Sequence, residues 1–186
     1  MIGNSIGVFV FTVLAVLRID QAFHGSWMSA LIALQSGLAV WLYFRRNKPE
    51  ETVSKWVQAL AWVSALLPMA FSPGTQGAGW AHLLPVPGLL IALWAMISLG
   101  KSFSIAPADR GLVQKGPYRI VRHPMYLGEL LSLVGVLIVA WSLWNALIFT
   151  AFTVSVIWRI LEEEALLDEY ETYRFEVSWR LVWQVW

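Results

Sequence analysis

One short stretch, residues 116–128, concentrates the polar chemistry of an otherwise apolar chain. It reads GPYRIVRHPMYLG and contains two arginines, two tyrosines and one histidine. Proline is tolerated in the first turn of a helix and disfavours a helical conformation in the residue before it, so Pro124 marks a helix start with His123 at its edge. Helix N-termini carry unpaired N–H groups and a partial positive charge. With Arg119 and Arg122 nearby, this turn is expected to bind a carboxylate or a phosphate.

A second polar cluster lies in the C-terminal tail, where an arginine precedes three consecutive glutamates and two tyrosines. If the tail is one helix, with about 100° between successive residues, one face holds Arg159, Glu163, Leu166, Tyr170 and Tyr173. The same helix would direct Glu164, Asp168 and Glu171 to the opposite, solvated side. Glu163 is therefore predicted as the inward carboxylate in preference to Glu162, although an offset of one residue stays open.

The first stretch resembles the G-P-Y-x-x-V-R-H-P-x-Y-x-G signature of the membrane methyltransferases related to isoprenylcysteine carboxyl methyltransferase and the phospholipid N-methyltransferases. Their second motif, R-x-x-E-E-x-x-L followed by Y-x-x-Y and W/Y-R-L-I-P, is matched by Arg159, Glu162, Glu163, Leu166, Tyr170, Tyr173, Trp179, Arg180, Leu181 and Val182. Two departures are a short spacing before Tyr170 and Trp183 in place of the usual proline. We expect a single domain, 1–186, with N-terminal helices in 1–80 and the family core in 84–186.

The resemblance implies S-adenosylmethionine as the methyl donor, S-adenosylhomocysteine as the product and a lipid-like or prenylated small-molecule acceptor. It implies that the cofactor is bound by Tyr118, Arg122, His123, Pro124, Tyr126, Leu127, Glu162 and Glu163. Glu163 is also a catalytic candidate, together with Arg159 and Arg180. A guanidinium group stays charged and matches a carboxylate in bidentate fashion, so these two arginines are the predicted clamp for an acceptor carboxylate.

The acceptor decides which further chemistry the site needs. Methyl transfer is an in-line displacement, so the protein must align nucleophile, methyl and sulfur and exclude water. A carboxylate is already ionised at pH 7 and needs no base, and carboxyl O-methylation of an isoprenylcysteine-like substrate is the favoured prediction. In a phospholipid N-methyltransferase, the alternative, Glu163 or His123 would accept a proton from the ethanolamine amine. An NADPH-dependent membrane reductase of the sterol type and a non-catalytic scaffold are further alternatives.

The composition identifies the elements that must position these residues. A hydrophobic fraction of 58% with only 13% charged residues excludes an ordinary soluble domain and indicates a membrane protein. No basic patch interleaved with aromatic residues suggests nucleic-acid binding. With no cysteine and three widely separated histidines, no metal site is expected. Six apolar segments, 2–19, 28–44, 56–72, 84–100, 125–141 and 143–161, predict an all-α bundle of five to six transmembrane helices.

Charge placement predicts the topology of this bundle. One helix over residues 125–161 would be about 55 Å long, well beyond the ~30 Å hydrocarbon core, so the last two spans are expected to form a hairpin near residues 141–145. With six spans, twelve of the 13 basic residues lie on one side and only Arg18 on the other. Both termini and the active site are then cytoplasmic, in the cell membrane if the source is bacterial. Five spans stay open if one segment is re-entrant.

The segment from Lys101 to His123 is the longest polar connection between the apolar segments. Its prolines and glycines predict irregular backbone, which is tolerated beside a membrane when it packs on protein or lines a watery cavity. Loops of this length are frequently functional. We expect this loop and the C-terminal helix to lie across the cytoplasmic helix ends and to close over the cofactor.

Overall fold

The computed structural model describes residues 2–24, 27–72, 79–166, 170–182 and 184–186. Within these ranges the chain is helical and contains no β-strand, apart from an isolated antiparallel bridge between Thr52 and Ala108. The α-helices in this part of the chain are α1 (Ile2–Phe23), α2 (Trp27–Arg45), α3 (Lys55–Leu66), α4 (Val86–Leu99), α5 (Pro124–Val139), α6 (Leu143–Leu166) and α7 (Tyr170–Glu176). The prediction of an all-α fold is confirmed, and each predicted apolar segment contributes one of the first six helices.

Three helical stretches in the described ranges are long and apolar enough to cross a bilayer. They are Ser5–Phe23, Trp80–Ser102 and Leu143–Leu166. Helix α5 is apolar but shorter. Large apolar side chains such as Phe9, Ile97 and Val154 are more than 60% exposed on these helices, a surface that suits lipid and not water. The number of crossings, five or six, stays a prediction.

Residues 125–161 do not form a single helix, because α5 ends at Val139 and α6 begins at Leu143. The buried side chain of Asn145 stabilises the break. Its Nδ2 donates to the carbonyl oxygen of Ala140 at 2.6 Å and to that of Ser72 at 3.1 Å, while its Oδ1 accepts from the Ser72 amide at 2.9 Å. One amide side chain thus satisfies backbone groups that follow both α3 and α5. The hairpin arrangement of the two helices stays a prediction.

The C-terminal tail is not one straight helix, contrary to the expectation. Helix α6 ends at Leu166 and α7 begins at Tyr170. The Tyr170 hydroxyl donates to Glu164 at 2.5 Å, although residues six apart point to different sides of a straight helix. The predictions for Asp168 and for the Trp183 position fall outside the described residues.

Helices α4 and α5 pack backbone against backbone, which requires glycine on both. A Cβ atom on Gly128 would overlap the backbone of Ala92 and the carbonyl oxygen of Gly88, and one on Gly88 would overlap the backbone of Ser132. Small residues at such crossings are typical of helices that associate within membranes. Gly128, the last residue of the first motif, is therefore explained by packing. The crossing fixes α5, which begins directly after His123, against α4.

Candidate active site

The corner at His123 has the predicted form. Helix α5 begins at Pro124, and His123 is the non-helical residue that precedes it. The Arg122 amide donates to the Trp179 carbonyl at 2.8 Å, and the His123 amide donates to the Arg180 carbonyl at 2.9 Å. The extended C-terminal segment therefore runs beside the corner and pairs with its backbone. The two sequence motifs meet in space, although about 40 to 60 residues separate them.

Glu164 is the centre of the polar network between the motifs. Its carboxylate lies 3.3 Å from Nη1 of Arg122, 3.1 Å from Nε2 of His123 and 2.9 Å from Nη2 of Arg180. Nε of Arg180 donates to both carboxylate oxygens at 3.0 Å, and the Tyr170 hydroxyl donates at 2.5 Å. The side chain is only 10% exposed. A buried carboxylate with two arginines and a tyrosine around it is stabilised in its ionised form.

The prediction that Glu164 points into solvent is therefore wrong. Its neighbour Glu163 also points inward, as predicted: it accepts a hydrogen bond from the Tyr126 hydroxyl, and its Oε2 lies 3.7 Å from Nδ1 of His123. Glu171 is exposed and pairs with Arg174, as expected for the solvated side. Two consecutive carboxylates contact the site because the partners of Glu164 come from the His123 corner, the C-terminal segment and α7, none of which continues the α6 helix. The helical-face argument could not include them.

A buried hydrogen bond joins Tyr173 of the second sequence motif to Tyr118 of the first. The Tyr173 hydroxyl donates to the Tyr118 carbonyl oxygen at 2.6 Å, and both residues are less than 10% exposed. The bond ties α7 to the short 3-10 helix Gly116–Arg119 that precedes α5. Burial raises the pKa of the Tyr173 phenol, so it stays protonated and donates.

We expect Tyr173→Phe to lower the free energy of unfolding by about 1–2 kcal/mol, because the substitution leaves the buried Tyr118 carbonyl without its partner. Thermal unfolding of the detergent-solubilised protein measures the change. A melting temperature equal to that of the unsubstituted protein would contradict the assigned hydrogen bond.

A cavity opens between the motifs and the loop that precedes them. It encloses about 750 Å³ of empty space, including the part open to solvent. The loop side is lined by Leu99, Ser102, Ser104, Ala108, Arg110, Gly111, Leu112 and Val113, and the motif side by Tyr118, Arg122, His123, Met125, Tyr126, Glu163, Tyr170 and Tyr173. Residues 102–113 of the polar connection thus contribute one side of the cavity.

Half of the predicted site residues line this cavity. They are Tyr118, Arg122, His123, Tyr126 and Glu163. The lining residues do not include Pro124, Leu127, Glu162, Arg159 or Arg180. Pro124 has a backbone role as the first residue of α5. The loop residues of the cavity, Arg110 among them, were missed because they carry no motif, and the only available signal was the length of the loop.

The two arginines predicted as a carboxylate clamp are engaged elsewhere. Arg159 is 1% exposed, its Nη2 donates to the Ile105 carbonyl at 2.6 Å, and its guanidinium lies 4.8 Å from the centre of the Tyr126 ring. Arg180 is held in bidentate fashion by Glu164. In this geometry Arg159 positions the loop and the Tyr126 ring, and Arg180 anchors the C-terminal segment.

Burial and neighbouring charges determine the protonation and hydrogen bonding of the remaining polar groups of the site. Burial and, secondarily, the Glu163 carboxylate raise the pKa of the Tyr118 phenol well above its usual value, and burial with Glu164 raises that of Tyr170. These phenols therefore act as hydrogen-bond donors and not as bases. On the cationic side, Nε of Arg122 and of Arg110 are buried and have no hydrogen-bond partner in the described part of the chain. Among the same residues, no cluster of histidines and acids is arranged to bind a metal.

A helical chain with several bilayer-length apolar stretches and a partly enclosed cavity of carboxylates, arginines and tyrosines defines an integral membrane enzyme. Comparison with known proteins identifies its family. The family model described as phospholipid methyltransferase matches residues 79–173. The chain is 31% identical to the protein-S-isoprenylcysteine O-methyltransferase of Schizosaccharomyces pombe over 203 aligned residues, which cover 94% of this chain and 82% of the relative. The chain belongs to this family of membrane methyltransferases.

Two plant relatives match as well. Protein-S-isoprenylcysteine O-methyltransferase A of Arabidopsis thaliana is 31% identical, with 55% of each chain covered. Form B of the same organism is 26% identical, with 82% of this chain and 79% of the relative covered. The search of solved structures found no significant match. The family assignment favours methyl transfer over the reductase and scaffold alternatives.

Proposed function

We propose that this protein transfers a methyl group from S-adenosylmethionine to the carboxylate of an isoprenylcysteine-like amphiphile held in the membrane. The observation that carries the proposal is the convergence of the His123 corner and Glu163 on one cavity, with Glu164 joining the two motifs beside it. Its named relatives methylate S-isoprenylcysteine in proteins, and the S. pombe enzyme aligns over 94% of this chain. The proposal places both termini and the cavity on the cytoplasmic side, with the acceptor entering from the bilayer.

The charges of the cavity suit this zwitterionic cofactor. S-adenosylmethionine supplies a methyl group on a positively charged sulfur, together with an ammonium and a carboxylate. Glu163, at 25% exposure of its side chain and with the Tyr126 hydroxyl donating to it, provides an anionic wall for the cationic groups. The buried and unpartnered Nε of Arg122 provides a donor for an anion. Protein groups of both signs are therefore present on one wall of the cavity.

The hydrogen-bond pattern favours a carboxylate acceptor over an amine. Glu164 is occupied by Arg122, Arg180 and Tyr170 and is a poor proton acceptor. The phenol pKa values of Tyr118, Tyr170 and Tyr173, which line the cavity, are raised, so these side chains stay protonated and cannot act as bases. A carboxylate is already ionised at neutral pH, so its methylation needs none of these groups to accept a proton. Phospholipid N-methylation is the second candidate, because the family model carries that name and Glu163 lines the cavity.

Binding of the product S-adenosylhomocysteine tests the cofactor part of the proposal. We expect the purified protein to bind it in calorimetry, and we expect His123→Ala to weaken binding by about tenfold or more, because it removes the residue that links Glu163 and Glu164 to the start of α5. His82→Ala, at an exposed histidine remote from the cavity lining, is the matched control. Absence of binding by the unsubstituted protein at millimolar ligand would refute the proposal.

Transfer of a tritiated methyl group identifies the acceptor. Membranes containing the protein are supplied with labelled S-adenosylmethionine and either a prenylcysteine analogue or total lipids. The proposal predicts a base-labile methyl ester on the prenylcysteine analogue, since carboxyl methyl esters hydrolyse in base and N-methyl groups do not. Label found only in N-methylated derivatives of phosphatidylethanolamine would instead establish the phospholipid N-methyltransferase.

A further inference from the structure

Arg110 is a buried cation in the loop that lines the cavity. The residue is among those that line the cavity and is only 9% exposed. One terminal nitrogen, Nη1, donates to the Asn47 carbonyl, whereas Nε has no hydrogen-bond partner in the part of the chain that the structure describes. Buried guanidinium groups are costly unless paired, so an unmet donor of this kind indicates a place for an anion.

The surroundings of Arg110 add a second positive charge instead of a neutralising carboxylate. The nearby Arg46, whose guanidinium lies 4.1 Å from the centre of the Tyr43 ring, repels it. Burial, with this repulsion second, lowers the pKa of Arg110 to about 10, so it remains charged at neutral pH. The adjacent acid, Asp109, accepts a hydrogen bond from the Gly111 amide at 2.9 Å. Within the described ranges, no carboxylate lies within 4 Å of the Arg110 guanidinium.

The motif side of the cavity has the opposite balance. Arg122 is paired with Glu164, and Glu163 adds a second carboxylate to that wall. Arg159 and Arg180 do not line the cavity. Among the described lining residues, Arg110 is thus the arginine without a carboxylate partner. A ligand with both a cationic and an anionic end is oriented by such a cavity, with its cation toward Glu163 and its anion toward Arg110.

The position of Arg110 is built into the fold. The Asn47 amide donates to the Lys101 carbonyl at 2.8 Å, the Glu50 amide to the Asp109 carbonyl at 2.9 Å, and the Asp109 amide to the Glu51 carbonyl at 3.0 Å. The Arg110 carbonyl also accepts from the Ser102 hydroxyl at 3.0 Å. The segment that follows α2 therefore holds the loop in place, so the N-terminal half of the chain helps to shape the cavity.

We propose that Arg110, with Arg46 behind it, is the carboxylate-binding site of the cavity. The inference rests on the proposed function, which supplies two ligands with that group: the methionyl carboxylate of the cofactor and the carboxylate of the acceptor. A guanidinium presents two parallel donors that match either one. This role is the one the sequence suggested for Arg159 and Arg180, transferred to a residue outside both motifs.

The test uses Arg110→Gln in the full-length protein, with Lys48→Gln as the control that removes an exposed positive charge from the neighbouring segment. Calorimetry measures binding of S-adenosylhomocysteine and of its decarboxylated analogue. Methyl transfer to a prenylcysteine analogue gives KM for the acceptor. If the site holds the cofactor, Arg110→Gln lowers the affinity for S-adenosylhomocysteine by about 10- to 100-fold and leaves the affinity for the decarboxylated analogue unchanged. If it holds the acceptor, cofactor affinity is retained and KM rises by a similar factor.

Equal affinities and equal KM for Arg110→Gln and Lys48→Gln, in a protein that binds cofactor and transfers methyl, would overturn the carboxylate site and leave the proposed function intact. A wild-type protein that neither binds nor transfers would overturn both. If Arg110→Gln does not fold, Arg110→Lys provides the same measurement, since lysine keeps the charge but not the paired donors and is expected to cost about tenfold.

Discussion

Replacing Glu164 with glutamine is expected to destabilise the protein by about 3 kcal/mol and to weaken S-adenosylhomocysteine binding by about 100-fold. The reason is that one carboxylate, 10% exposed, neutralises Arg122 and Arg180 and accepts from His123 and Tyr170. A neutral amide leaves a guanidinium uncompensated in a buried place. The Arg180 side chain is 25% exposed and regains some solvation in the variant. The expected loss of stability is therefore at the lower end of the range for broken buried ion pairs.

Thermal unfolding in detergent and calorimetry measure the two effects. Glu171→Gln is the matched control, because that carboxylate is 74% exposed and pairs only with Arg174 among the described residues. Exposed ion pairs contribute little, so the control is expected to change stability by less than about 1 kcal/mol. Equal melting temperatures for the two variants would show that Glu164 does not hold the C-terminal segment against the corner.

Placing a single methyl group on Gly128 is expected to destabilise the protein by about 1–3 kcal/mol. In Gly128→Ala the new Cβ would overlap the backbone of Ala92 and the carbonyl oxygen of Gly88, which cannot rotate away as a side chain does. Helices α4 and α5 must separate instead. Because α5 also carries Tyr126, which donates to Glu163 and lies two residues before Gly128, cofactor affinity is expected to fall as well.

Gly37→Ala is the control for this prediction. Gly37 lies in α2, and a Cβ atom built on it meets nothing within 4 Å. Alanine has the higher helix propensity, so the control is expected to be neutral or slightly stabilising. If the Gly128→Ala and Gly37→Ala proteins have the same melting temperature and the same cofactor affinity, the close helix crossing is excluded.

The helices were predictable because membrane helices must satisfy their backbone within the segment and expose apolar side chains to lipid. Each apolar segment is therefore visible in composition alone. The start of α5 was predictable for an equally local reason, since the ring of Pro124 permits a helix to begin there and not to continue through it. Gly128 belonged to a recognised motif, although its packing against α4 could be understood only from the structure.

The tail shows where local reasoning fails. A single helical face places Glu163 inward and Glu164 outward, and the structure brings both into the polar network because α7 and the segment around Arg180 approach Glu164 from another direction. Arg159 was expected to bind an acceptor and instead contacts Ile105 and Tyr126. Helical periodicity describes the faces of one helix, whereas these contacts depend on which distant segments the fold packs against that helix.

The amino-acid sequence by itself determined the class of the fold, the family and the two motifs that supply His123, Tyr126 and Glu163. Those properties follow from residue type and short spacing, which act within one helix or turn. Only the tertiary structure decided that Glu164 joins the motifs and that Arg110 completes the cavity from the loop. Both depend on long-range contacts of buried charge, and the pairing of a buried charge is decided by whichever partner the fold brings within a few ångströms of it.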